Sequence, residues 1–124
     1  MSITHSISGS VASSAGTSIR STWTEAGTTE INIDVQLPAS STNTLQACAF
    51  TVANLQAAYL KSDQPMTIKT NSSGSPADTI TLVANEPLIY SRSRGDTNPF
   101  GTNVTAWYLT CTPSARLQAL LLTT

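Results

Sequence analysis

Residues 91–103, SRSRGDTNPFGTN, hold the one tripeptide in this chain whose residue types spell a known contact. Arg94-Gly95-Asp96 sets a guanidinium and a carboxylate on either side of a glycine, the pattern that cell-adhesion receptors grip. Its surroundings argue for a loop: Arg92, Asn98 and Pro99 fall between a strand expected to end at Tyr90 and one expected to start near Val104. Exposure is necessary for adhesion but not specific to it. Gly95 suits a positive φ and Asp96 suits a bond to its own downstream backbone, both ordinary turn functions. The favoured reading of Arg92 and Arg94 is fork-shaped hydrogen bonding to carboxylates or carbonyls of a neighbouring subunit.

Other reactive residue types are sparse. The single His5 lies in a polar N-terminal stretch, away from any expected strand end, and does not suit a catalytic triad. The seven carboxylates, Glu25, Glu30, Asp34, Asp63, Asp78, Glu86 and Asp96, are spread one to a turn or strand with no close pair in sequence. Cys48 and Cys111 are too few for a four-ligand zinc site, and each sits in an apolar run, so they are read as buried free thiols. The glycines nowhere cluster as a phosphate loop requires. The chain is therefore expected to be no enzyme and to carry no cofactor or metal. Asn71 (NSS) and Asn103 (NVT) match the glycosylation acceptor pattern, which a chain this rich in Ser and Thr produces by chance. The opening MSITHSISGSVASSAGTS has neither the basic nor the apolar region of a secretion signal, and no run approaches membrane-spanning length. Synthesis in the cytoplasm and no membrane association are the expectations.

The elements that must position these residues read as strands. A length of 124 residues suits one domain. Charged residues are 10% of the chain, against about 25% in an ordinary soluble protein. With six basic and seven acidic residues and a net charge of −1, no patch can displace phosphate counterions, which excludes nucleic acid as a partner. A surface of hydroxyls and amides suits burial in an assembly, since such groups are less costly to desolvate than ions. Residues 1–16 are Ser, Gly, Ala and Thr punctuated by Ile3, Ile7 and Val11, and are expected to be a flexible or extended arm that orders on a neighbour. Residues 17–124 are read as a single β-sandwich domain. Ile19 and Trp23, then Ile31, Ile33, Val35 and Leu37, alternate on two segments joined across Ala26-Gly27, which predicts a hairpin with Trp23 facing the core. Met66 and Ile68, Ile80 and Leu82, and Leu88 and Tyr90 mark further short strands between turn residues. Residues 45–61 carry a helix-like spacing as well, but two strands are favoured. Asp63-Gln64 and Pro113-Ser114 are read as strand connections. The last strand is apolar on both faces, so it is either central or covered by another subunit.

From Leu55 onward, TIKTNSSGSPADTITLVANEPLIY, then NPF, then VTAWYLT, then a closing apolar strand follow in an order that resembles small virion structural proteins of tailed bacteriophages. Asn103 stands where such proteins have Asp before the VT step, and the Arg-Gly-Asp loop is peculiar to this sequence. The resemblance implies an all-β, antiparallel, jelly-roll-like β-sandwich that decorates or cements the capsid, binds the major capsid protein and forms dimers or trimers. Ile3, Ile7, Val11, Arg92, Arg94 and Phe100 are the candidate subunit contacts. A tail, collar or baseplate component shares these features, and a carbohydrate-binding module using Trp23, Trp107 or Tyr108 is the third reading.

Overall fold

Period-two alternation dominates the chain from Ile3 onward, and in the computed structural model, which describes residues 1–124, it becomes ten strands. They are β1 (Ile3–Ala12), β2 (Ser18–Gly27), β3 (Thr29–Leu37), β4 (Ser41–Gln46), β5 (Leu55–Ser62), β6 (Met66–Thr70), β7 (Thr79–Leu82), β8 (Leu88–Ser91), β9 (Trp107–Cys111) and β10 (Ala115–Thr123). A single 3-10 turn, Val52–Asn54, is the only helical piece. Residues 45–61 thus end β4 and form β5, as the strand reading had it, because Leu55, Ala57, Ala58 and Leu60 are needed on both faces of a sheet.

Two antiparallel four-stranded sheets face each other, in the orders β3-β10-β5-β8 and β4-β9-β6-β7. The pairs are nested: β3 with β10, β4 with β9, β5 with β8, β6 with β7. Consecutive strands therefore often lie in opposite sheets. Asp63-Gln64 and Pro113-Ser114 carry the chain between sheets, and both corners are tied by side chains: the Asp63 carboxylate accepts from the Arg116 amide at 2.8 Å, and the Ser114 hydroxyl donates to the Leu37 carbonyl at 2.8 Å.

The facing sides bury Leu60, Leu117 and Leu121 from one sheet against Ile68, Leu82, Trp107 and Leu109 from the other. Phe100 is 1% exposed, stacks on Trp107 and meets Phe50 edge-on. Cys48 and Cys111 are both buried and unbonded, and burial pushes the Cys48 thiol up to about 12. The closing strand β10 is interior to its sheet. Its inner face joins the core, and on its outer face Leu122 is fully buried.

What covers Leu122 corrects two expectations. Ser18–Gly27 pairs with Ile3–Ala12 through ten consecutive residue pairs, not with β3. The N-terminal segment is thus one strand of a hairpin, and the boundary expected at residues 16 and 17 falls inside its turn. The reason lies at Gly27. A Cβ there would stand 2.5 Å from the Thr123 carbonyl oxygen and 2.8 Å from Leu122 Cγ, so the chain crosses the end of β10 in contact with it, and β3 then pairs with β10 while β2 pairs with β1. Backbone cannot yield as a flexible side chain can. Gly27→Ala is expected to destabilise the protein by about 1–3 kcal/mol in urea unfolding, while Gly74→Ala, with nothing within 4 Å of its Cβ, leaves the midpoint unchanged or slightly raised.

Candidate functional site

Strand periodicity puts Ile3, Ile7 and Val11 on the same side of the hairpin as Ile19, Trp23 and Gly27, since opposed residues of an antiparallel pair share a face. The inner half of that side lies on the outer face of the sheet β3-β10-β5-β8. Ile7, Ala57 and Leu122 form a small buried cluster with Ile3, Trp23 and Ile89 around it. His5 Nε2 lies 2.8 Å from the Glu30 carboxylate on β3, and Trp23 Nε1 donates to the Ser91 hydroxyl on β8 at 3.1 Å. The hairpin therefore runs across the strands from one edge of the sheet to the other.

A polar clamp holds its far side. Glu25 is in phase with Trp23 and 7% exposed. Its carboxylate accepts from the Ser91 hydroxyl, the Ser93 hydroxyl and the Ser93 amide, the last at 2.8 Å. Burial is the largest influence on this group and acts to raise its pKa. The three hydrogen bonds and the charge of Arg92 outweigh it together, so the carboxyl sits below its ordinary value of 4.5.

The Arg-Gly-Asp loop serves the same clamp. Arg94 lies over the Trp23 ring at 4.7 Å from its centroid and donates through Nε to Asp96 Oδ1 at 2.8 Å. Asp96 also accepts the Ser91 amide at 2.9 Å, and its hydrogen bonds from Arg94 hold its carboxyl below the usual carboxylate range. Gly95 takes the positive φ, 81°, that lets the two charged ends meet. The two charged ends of the tripeptide are bonded to each other. Arg92 donates to the Ala53 carbonyl at 2.8 Å.

Of the residues expected at subunit contacts, Ile3 and Ile7 dock the hairpin on its own body, Arg92 and Arg94 bind within the chain, and Phe100 is core and closed to a partner. Val11 is the exception. It is 62% exposed, opposite Ile19 at 66%, on the continuation of the docked apolar side past the body. Residues 8–22 are exposed throughout. At about 3.3 Å per residue, β1 overhangs the sandwich by roughly 15 Å. Beside the free edge of β1 runs a groove of about 550 Å³, walled by residues 4–8 and floored by Ala57, Tyr59 and Leu120, with Tyr59 39% exposed.

The remaining ring candidates do not form a row: Trp107 is fully buried and only Tyr108 of that pair reaches the surface. The asparagines of both glycosylation patterns are used structurally. Asn71 donates to the Asn103 carbonyl at 2.9 Å and accepts the Thr105 amide at 2.8 Å, while Asn103 accepts the Val52 amide at 3.0 Å. Sequence reasoning passed over Glu25, although a carboxylate on the apolar phase of a strand was the signal for it. Comparison with protein-family models, curated proteins and solved structures gives no match.

Because the Glu25 carboxyl is depressed in the folded state, the stability it contributes is full above pH 4.5 and is lost as pH falls through its lowered value. Asp96 acts in the same direction below its ordinary value of 3.8. Amide hydrogen-exchange protection factors, taken against the intrinsic rate at each pH, are expected to fall in β1 and β2 below pH 4.5 while those in β10 are kept. Glu25→Gln is expected to loosen the hairpin at neutral pH by about 1–3 kcal/mol in the same measurement; unchanged exchange would remove the clamp.

Proposed function

We propose that this chain is a non-enzymatic virion structural protein of a tailed bacteriophage, one that decorates the head by binding the major capsid protein. The observation that carries the reading is a hairpin fixed by its inner half to the body and extending an apolar pair, Val11 and Ile19, past it. A chain with only 10% charged residues presents a surface suited to burial against a neighbour.

The fold supports the same reading. Nested pairing of eight strands, first with last and so inward, is what rolling one long hairpin into two sheets gives, and we read β3 to β10 as a jelly roll. Viral capsid domains use that architecture, as do lectins and cupins. The order of motifs from TIKTNSSG to the closing strand, which resembles phage virion proteins, tips the choice toward the capsid.

The mechanism is energetic. Contacts available only in the mature shell stabilise it by mass action, with about 800 Å² buried per partner in a standard interface. The hairpin is the tie and the sandwich the body that fills the site between capsomers.

Cosedimentation with intact and with undecorated heads is the test. Saturable binding at a fixed ratio to the major capsid protein is expected, with Ile19→Lys weakening it roughly tenfold or more. Absence of binding to heads overturns the decoration reading and sends the protein to the tail or collar.

A further inference from the structure

The outer edge of β1 is unpaired: its two-stranded sheet contains β2 on the other side and nothing beyond. Natural edge strands are blunted by charge, proline, bulges or shortness. This one has none of these devices. It runs ten residues, ITHSISGSVA, pairs with β2 without a register shift, and holds no Lys, Arg, Asp, Glu or Pro. Its backbone donors and acceptors thus stand open beside a groove with an apolar floor.

The sequence of the edge identifies its partner. Residues 6–12 read SISGSVA, which is close to a palindrome about Gly9: Ser8 mirrors Ser10, Ile7 mirrors Val11, and small Ser6 mirrors small Ala12. An antiparallel two-fold pairing turns such a strand onto itself with like residues opposed. Fixing the two-fold at Gly9 also separates the bodies. Residues 3–7 lie on the sandwich and residues 8–22 overhang it, so each copy's unsupported half runs beside the other's supported half.

We infer that the free edge of β1 pairs antiparallel with β1 of a second copy, centred on Gly9, to make a continuous ribbon β2-β1-β1-β2 across two sandwiches. In that register the exposed Val11 of each copy stands opposite Ile7 of the other, over the Ala57 and Tyr59 floor of the groove. The apolar sides of all four strands face the bodies. No formal charge lies in the paired segment to oppose the approach. The pairing goes beyond the capsid reading and does not depend on it.

Two measurements on the full chain, without heads, test it. Sedimentation velocity should give a dimer, shifted toward monomer by Val11→Lys, roughly a tenfold or greater loss of affinity. Directly opposed strand residues lie within the Cα separation a disulfide spans, so Gly9→Cys should form a disulfide-linked dimer in a thiol redox buffer. The buried Cys48 and Cys111 do not compete. Ser21→Cys, opposite Gly9 on β2 and away from the free edge, should crosslink roughly tenfold more slowly or worse. A monomer at every concentration, a trimer or larger ring, or equal crosslinking by Gly9→Cys and Ser21→Cys would overturn the inference. A monomer that still binds heads would overturn it while leaving the decoration reading intact.

Discussion

A carboxylate removed from water must be met by donors, and Glu25 is met by three from the end of β8 and the turn after it, residues 91–93. An unmet buried charge is shifted toward neutrality or expelled, so this group fixes where β2 lies with a directionality that apolar contact lacks. The consequence reaches well beyond one side chain. A two-stranded hairpin is marginal alone in water, and this one is held to the body through its inner half by Ile7, Trp23 and Glu25. Ser91 links the parts: its hydroxyl accepts from Trp23 and donates to Glu25, and its amide donates to Asp96.

The clamp also accounts for the most recognisable letters in the chain. Arg94, Gly95 and Asp96 close a tight ion-paired loop under which Ser91 and Ser93 are presented, and Arg94 caps the Trp23 ring. Such a pair on the open surface contributes little by itself. Here it shapes a loop whose hydroxyls meet a buried acid, so geometry is its contribution. The two sheets supply the rigid support: nested pairing places the outer face of β10, β5 and β8 under the hairpin, and that face is apolar where the hairpin crosses it. On the proposed reading, the molecule is a stiff body with a stiff lever, and both suit a protein whose work is to hold neighbours together.

Much of this was legible in the sequence. Alternation at Ile31, Ile33, Val35 and Leu37, and at Met66 and Ile68, marked strands because a half-buried sheet imposes a period of two. The doubly apolar closing strand announced its interior position. Pairing was not legible: a hairpin across Ala26-Gly27 looked sound locally, but β3 pairs with β10, and Gly27 meets Thr123 and Leu122, nearly a hundred residues away in sequence. Polar composition made residues 1–16 look like a loose arm because their strand partner and anchors lie elsewhere in the chain. Phe100 looked like a loop anchor since its burial depends on Phe50 and Trp107, which sequence distance hides. Val11 was legible as an apolar residue without a local reason to be there.

A hairpin that ties neighbours together must move with the sandwich as one body. Pulsed electron–electron resonance between spin labels at Ser14→Cys in the hairpin turn and Ser75→Cys on the sandwich measures this directly, with the labelled chain diluted in unlabelled protein so that only intrachain distances count. Both positions are exposed and the native cysteines are buried. A clamped hairpin gives one narrow distance distribution at neutral pH; a broad or bimodal one would contradict the clamp.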